Sequence, residues 1–127
     1  MKAILDTNLL VAESLSHPGY EVAISSVSWA ELGYGIRKAA NPVERASREA
    51  RVTRLRALLG PGIPFDDACA DAYETVCGLV LASGREVRSR AIDLMIGATA
   101  AAYGAALITR NTRDFAGLDG LVPIIGT

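Results

Sequence analysis

Four acidic residues, far apart along the chain, have the clearest capacity for chemistry. Asp6 follows a short apolar segment, and Glu31 lies in the first turns of a predicted helix. Asp93 lies in the first turn of a later predicted helix, and Asp114 lies in a turn after a second apolar segment. Carboxylates that meet in one site bind divalent cations, so the chemistry depends on whether the fold brings these four together.

Each acid taken singly has a structural explanation. Asp6 is suited to capping a helix by accepting backbone N–H bonds. Ser28 and Glu31 match a capping box, in which the glutamate reaches back to the cap backbone. The helix dipole favours Asp93 in a first turn, and Asp114 is suited to capping a short final turn. A functional hypothesis therefore depends on the set and not on any one residue.

Strands and helices alternate along the chain. We predict strands at Lys2–Leu5, Glu21–Ser25, Ala106–Thr109 and Leu121–Ile125, with a brief further strand at Ile63–Phe65. We predict helices after Asp6, from Ser28 to about Ala39, over about Val43–Leu59, over Asp66–Ala82 and from Ser89 to about Tyr103. This order predicts an α/β fold with a short, mainly parallel sheet flanked by helices. A chain of 127 residues is expected to form one domain over residues 1–127.

The predicted topology carries the four acids to one edge of the sheet. In a parallel α/β sheet, the carboxyl end of each strand lies beside the start of the next helix, and ligands bind outside that edge. Asp6 and Asp114 follow strands, and Glu31 lies in the helix after the second strand. Asp93 begins a helix that runs antiparallel to the strands, so its start lies at the same edge. One acidic cluster is the expected result.

Several carboxylates at one edge require a counter-charge. Two carboxylates about 4 Å apart repel by about 4 kcal/mol at an effective dielectric of about 20, which raises their pKa values. Oxygen ligands without a neighbouring His or Cys favour Mg²⁺, and Mn²⁺ is expected to substitute for it. Such a metal activates a bound water and neutralises charge on phosphoryl oxygens, so phosphodiester hydrolysis is the expected reaction.

We assign roles to the candidate catalytic residues on this basis. Asp6 and Asp93 are the predicted metal ligands. Glu31 and Asp114 are predicted to bind the metal through water or to orient the attacking water. Candidate hydrogen-bonding residues behind these acids are Asn8, Thr109 and Asn111.

The charge of the chain gives no overall attraction to nucleic acid, because the formal net charge is −1. Local basic segments exist. Seven basic residues lie between Arg37 and Arg56 against only two acids, which fits a solvated helix face as well as an RNA-binding surface. Arg110 and Arg113 flank the predicted cluster and are the candidate RNA-binding residues.

Cysteine, zinc and membrane chemistry are not predicted. Cys69 and Cys77 lie eight residues apart in one predicted helix, so their Cα atoms are separated by roughly 12 Å, beyond the about 7 Å that a disulfide spans. His17 is the single histidine. The uncharged segment from Leu94 to Ile108 has 15 residues, fewer than the ~20 that cross a bilayer. The amino terminus does not resemble a signal peptide. We therefore expect a cytoplasmic protein that does not associate with a membrane.

The same residues resemble the motifs of a known family. In this order, the segment Ile4–Asn8 (ILDTN), the segment Ala30–Gly35, Asp93 before a helix of small residues, and the segment Ile108–Phe115 (ITRNTRDF) resemble PIN-domain ribonucleases. Length and motif order are similar to those of the toxin subunits of VapBC-type toxin–antitoxin pairs. The resemblance covers nearly the whole chain, and four ordered motifs are more specific than one.

The resemblance implies a three-layer PIN-like domain with Mg²⁺-dependent endoribonuclease activity, acting as the toxin of a type II toxin–antitoxin pair. It also implies an RNA substrate, a homodimer and a cognate antitoxin whose tail enters the acidic groove. The sequence departs from many relatives at Asn111, where an acid often follows the Thr-Arg pair. Either Asp114 completes the cluster or the site has three carboxylates, which leaves the choice between one metal and two open.

A surface for a partner helix is a further hypothesis. The helical pair over Ser28–Leu59 ends in an apolar seam that suits a partner helix, and core packing explains the same seam equally well. The seam consists of Val52, Leu55, Leu58 and Leu59.

Two other functions stay open. The first is a catalytically inactive PIN-like module that binds RNA or protein, in which the acids only cap helices. The second is a phosphohydrolase with Asp6 as covalent nucleophile. That hypothesis is weaker, because Asn8 replaces the second acid of the usual Asp-x-Asp pattern and the only lysines are Lys2 and Lys38.

Overall fold

A sheet of four parallel strands organises the chain. In the computed structural model, which describes residues 1–127, the strands are β1 (Lys2–Leu5), β2 (Glu21–Ala23), β3 (Ala106–Thr109) and β4 (Ile124–Gly126). Their order across the sheet is β2-β1-β3-β4, and every neighbouring pair is parallel. The predicted α/β fold is therefore confirmed.

Five helices surround this sheet. They are α1 (Thr7–Val11), α2 (Ser26–Lys38), α3 (Pro42–Leu59), α4 (Asp67–Ala82) and α5 (Ala91–Ala102), with short 3-10 turns at Arg88–Arg90 and Thr112–Phe115. The start of α3 is determined by local residues. The Asn41 side chain accepts a hydrogen bond from the Glu44 N–H at 2.8 Å, and Pro42 occupies the first turn.

The two faces of the sheet carry separate hydrophobic cores, because successive strand residues point to opposite sides. Ile4 and Leu107 pack with α4, α5 and the chain after β3. Leu5 and Ile108 pack on the other face with α1, α2 and α3. Helices thus form a layer on each face, which gives the three-layer arrangement that the sequence implied.

The predicted start of α2 is wrong. The helix begins at Ser26, and the Ser25 hydroxyl caps it by accepting a backbone N–H bond at 3.1 Å. Ser28 is buried inside the helix, where its hydroxyl lies 2.9 Å from the Thr7 hydroxyl. Because Ser25 is the cap and Ser28 lies within the helix, the capping box of Ser28 and Glu31 does not form.

The predicted start of α5 is also wrong. Ser89 does not cap it, since the 3-10 turn Arg88–Arg90 precedes α5 and neither element has a side-chain cap. This turn satisfies part of the local backbone hydrogen bonding, with the Arg90 N–H donating to the Val87 carbonyl at 2.9 Å. The helix therefore begins at Ala91, two residues before Asp93.

Two strand predictions also needed correction. The segment Ile63–Phe65 forms only a single bridge, between Ile63 and Ser25, because Pro64 follows and cannot donate a ladder bond. The last strand begins at Ile124 and not at Leu121. The N–H groups of Leu121 and Val122 both donate to the Leu118 carbonyl in a turn, so they are not available to β3.

The apolar seam of α3 belongs mainly to the core. Leu55 is fully buried, Val52 and Leu59 pack against the same core, and only Leu58 is largely exposed, at 70%. Cys69 and Cys77 are unpaired, as expected. None of the helices has the length and apolar character needed to span a bilayer.

Candidate functional site

The four acids line one cleft at the carboxyl edge of the sheet. The cleft has a volume of about 580 Å³. Residues from four separate segments of the chain meet there: Asp6, Asn8, Glu31, Asp93, Asn111 and Asp114. The structure thus brings together every acid that the sequence singled out, while their metal-binding and catalytic roles stay predictions.

Asp6 is held rigidly at the junction of β1 and α1. It caps α1 and is only 4% exposed, with Oδ1 accepting a bond from the Thr7 N–H at 2.9 Å. Its Oδ2 accepts a bond from the Thr109 hydroxyl at 2.8 Å, and that hydroxyl accepts a bond from the Asn111 N–H at 2.9 Å. Because β1 and β3 are neighbouring parallel strands, their ends hold this chain of bonds in place. Burial raises the pKa of Asp6, and the bonds from Thr109 and Thr7 oppose that rise.

Asp93 lies in the first turn of α5 and carries the largest electrostatic perturbation of the cluster. Burial, followed by the negative charges of Asp6, Glu31 and Asp114, raises the pKa of Asp93 to about 6. The Arg90 guanidinium opposes this rise. Burial and the neighbouring carboxylates therefore outweigh the opposing charge of Arg90 at Asp93.

Glu31 and Asn8 each present a buried oxygen without a partner. Glu31 Oε1 and Asn8 Oδ1 form no hydrogen bond, and a buried acceptor left unsatisfied costs about 1–3 kcal/mol. Both residues line the cleft. Gly62 allows its segment to lie close to the start of α2, the helix that carries Glu31, because a Cβ there would lie 2.6 Å from the Ser26 nitrogen.

The donor set fits a hard divalent cation in its chemistry. All candidate ligands are carboxylate or amide oxygens, and two of these oxygens lack partners. No three His, Cys, Asp or Glu side chains are grouped tightly enough to hold a metal ion between them. Mutual repulsion of like charges favours such separation.

A basic wall of the cleft was missed as part of the site. Arg48 and Arg51 of α3 line it, although the sequence marked only a general basic segment. Arg48 donates to the Gly35 carbonyl at 2.5 Å and pairs with Glu44. Arg51 forms no ion pair. The spacing of Arg48, Arg51 and Val52 along one helix face was the available signal.

The candidate RNA-binding residues Arg110 and Arg113 are not brought into the cleft. Both are exposed on the turn after β3, and neither lines a cleft at the acidic cluster. The Arg113 carbonyl accepts a bond from Arg85 at 2.7 Å, which ties this turn to the chain before α5.

The parallel three-layer fold and the acidic cleft at its edge are features of a defined class of protein. Residues 3–121 match the PIN domain family, and the chain belongs to that family.

The chain is also similar to individual proteins and solved structures. The chain is 28% identical over 123 residues to Ribonuclease VapC4 of Mycobacterium tuberculosis (strain ATCC 25618 / H37Rv), covering 92% of this chain and 91% of that protein. Among solved structures, a member of the VapBC family of toxin–antitoxin systems, VapBC-5 from Mycobacterium tuberculosis, is similar with a TM-score of 0.81 and 36% identity, covering 99% of this chain and 98% of that one. FitAcB from Neisseria gonorrhoeae has a TM-score of 0.76 and 26% identity, covering 98% and 96%. The expected likeness to PIN-domain toxins of the VapC type is confirmed.

Proposed function

We propose that this chain is a metal-dependent endoribonuclease and the toxin of a type II toxin–antitoxin pair, cutting cellular RNA in the cytoplasm. The likeness to Ribonuclease VapC4 and to VapBC-5 supports this proposal. The observation that carries it is the meeting of Asp6, Glu31, Asp93 and Asp114 around one cleft. Only Asp6 among them caps a helix, so capping does not account for the set.

Asp6 and Asp93 would hold Mg²⁺, or Mn²⁺ in its place, and Glu31 and Asp114 would contact it through water. When bound, the ion supplies a water of lowered pKa and neutralises charge that develops on the phosphoryl oxygens. Thr109 keeps Asp6 in one orientation through its 2.8 Å bond.

The other polar residues of the cleft are suited to hold or orient water molecules. The unpartnered Glu31 Oε1 is free to accept a hydrogen bond from the attacking water and so to orient it. Asp114 and Asn8 line the same cleft and are suited to hold further water, with Asn111 beside them. Asp6 is a poor covalent nucleophile, because both its oxygens already accept hydrogen bonds and its side chain is buried.

RNA cleavage tests the proposal directly. Purified protein is incubated with total RNA in Mg²⁺ or in EDTA, and the fragment ends are sequenced. We expect discrete new ends in Mg²⁺ and none in EDTA, because the acids need the cation. Asp93→Asn protein, purified in parallel, controls for contaminating nucleases. Equal cleavage in EDTA, or equal cleavage by the variant, would contradict the proposal; no cleavage under any condition would favour an inactive PIN-like binding module.

Removing the Thr109 hydroxyl is expected to weaken metal binding without removing a ligand. Thr109→Val preserves shape but leaves Asp6 Oδ2 without its 2.8 Å bond. Loss of such an outer partner typically costs about 10–100-fold in metal affinity or activity. Calorimetric titration with Mn²⁺ measures the change, and Thr109→Ser, which keeps the hydroxyl, serves as the matched control. Equal affinities in the valine and serine variants would remove Thr109 from the site.

A cognate antitoxin and a second copy of this chain are the proposed protein partners. Relatives in solved structures belong to toxin–antitoxin systems, VapBC-5 among them. The acidic cleft also has an apolar part, formed by Val11, Leu32 and Val52, and Val11 is 47% exposed. A peptide with apolar side chains and a basic group would match this lining. Sedimentation of the free protein tests the homodimer.

A further inference from the structure

A second cleft joins the first at the acidic cluster. It has a volume of about 200 Å³ and is formed by the turn Arg88–Arg90 and the start of α5. Glu31 and Asp93 line both clefts. We refer to the larger as the α3 cleft and to the smaller as the α5 cleft. Because the two clefts share these acids, they adjoin each other at the acidic cluster.

Each cleft contains one arginine that is free of protein partners. Arg51 lines the α3 cleft and Arg88 lines the α5 cleft, and neither side chain forms an ion pair. The neighbouring arginines are already engaged. Arg48 is bonded to the backbone of α2, and Arg90 donates to the backbone of the turn Thr112–Phe115 at 3.2 Å. Arg51 and Arg88 are therefore the guanidinium groups available to a ligand.

The four acids of this site repel a polyanionic ligand such as RNA. The net charge of −1 supplies no general attraction, so local cations must hold phosphates close to the cluster. Arginine suits this role, because its planar guanidinium binds phosphate oxygens in a bidentate manner. One free arginine in each of two joined clefts matches a ligand with phosphates on both sides of the cluster.

We propose that the two clefts bind a single RNA strand across the acidic cluster, with Arg51 and Arg88 contacting phosphates on opposite sides of the scissile bond. This inference rests on the proposed ribonuclease function and names how its substrate is held. A flexible strand is favoured over a duplex, because a splayed single strand can follow two joined clefts.

Salt-dependent binding tests the assignment separately from cleavage. The probe is a single-stranded RNA of mixed sequence, and its binding is measured in EDTA, in which the proposed metal-dependent cleavage does not take place. Each phosphate contact on a single strand contributes about 0.7 to the slope of log affinity against log salt. We expect Arg51→Gln and Arg88→Gln each to lower that slope by about 0.7 and the double variant by about twice as much.

Three matched variants make the result specific. Arg45→Gln removes an exposed arginine of α3 that lines neither cleft, and we expect it to keep the wild-type slope. Arg51→Lys keeps the charge and is expected to keep the slope while losing part of the affinity. Arg113→Ala tests the candidate RNA-binding residue that lies on the exposed turn after β3. A wild-type slope in both glutamine variants would overturn the inference, as would an equal loss in Arg45→Gln.

The outcome also separates this inference from the proposed function. If Mg²⁺-dependent cleavage occurs but the slopes do not change, the arginine assignment fails and the ribonuclease stands. If the slopes change but no RNA is cut, the binding surface stands and the ribonuclease fails. Shortening the RNA from one end should abolish the effect of only one of the two arginines, which assigns each cleft to one side of the bond.

Discussion

Asp93→Asn is expected to raise the stability of the metal-free protein at neutral pH, and the gain should fade as the pH falls. In the folded protein, burial and the charges of the other acids raise the pKa of Asp93 from 3.8 to about 6. Between these values the folded state binds more protons than the unfolded state, so folding stability decreases as the pH rises. The variant has no carboxylate to ionise and escapes that loss.

The expected size of this effect is measurable. A pKa rise from 3.8 to about 6 corresponds to about 3 kcal/mol, which solvent screening of the partly exposed group reduces to about 1–2 kcal/mol. For a chain of this length, that gives a Tm about 3–8 °C higher above pH ~6.5, shrinking towards zero near pH ~4.

Calorimetry in EDTA over this pH range gives the comparison. The matched control is Asp119→Asn, which changes an exposed acid outside both clefts and should leave the pH profile unaltered. If Asp93→Asn proved less stable than the natural chain at neutral pH, the acids would not be repelling one another as described.

Asp6→Asn and Asp93→Asn are expected to cause the largest loss of metal binding. Each removes a predicted anionic ligand, whereas Thr109→Val removes only a support behind one. Loss of a hydrogen-bonding partner behind a metal ligand lowers metal affinity about 10–100-fold. We expect the loss of a ligand itself to lower Mn²⁺ affinity by more than that, with RNA cleavage falling in parallel. Calorimetric titration measures the affinity.

Two controls show whether a loss of Mn²⁺ affinity is specific to the site. Asp119→Asn again changes one exposed acid without touching the clefts, and its Mn²⁺ affinity should equal that of the natural chain. Circular dichroism establishes that the two site variants remain folded. Wild-type affinity in both Asp6→Asn and Asp93→Asn would contradict the metal assignment and favour a PIN-like module that binds without catalysis.

The acids of the site could be predicted because each is tied to a strong local signal. Asp6 directly follows three buried apolar residues of β1 and is a good helix cap, so both its element boundary and its edge of the sheet could be inferred. Asp93 required only the rule that a crossover helix runs antiparallel to the strands. These arguments use strand order and chain direction, which the alternation of elements already defines.

Local boundaries failed where distant contacts decide them. Several serines precede Glu31, and Ser25 becomes the cap because its backbone pairs with Ile63, 38 positions along the chain. A window of sequence cannot show that pairing. The last strand starts late for a similar reason, since a turn on Leu118 takes the backbone donors of the preceding residues.

The basic side of the site could not be identified from spacing alone. Arginines occur on several faces of α3, and only the burial of Leu55 against the sheet defines which face turns towards the cleft. That orientation places Arg48 and Arg51 in the lining of the cleft and leaves Arg45 outside it. Arg110 and Arg113 are near the acids in sequence, but both are exposed on the turn after β3 and neither lines the cleft.

A carbon-13 NMR titration of the aspartate carboxyl groups tests most directly whether these acids share a cation. Without metal, we expect the Asp93 carboxyl to titrate at a pKa of about 6. With saturating Mg²⁺, its titration should move to far lower pH, because a bound cation favours the ionised form. An Asp93 titration that is the same with and without Mg²⁺ would contradict the account.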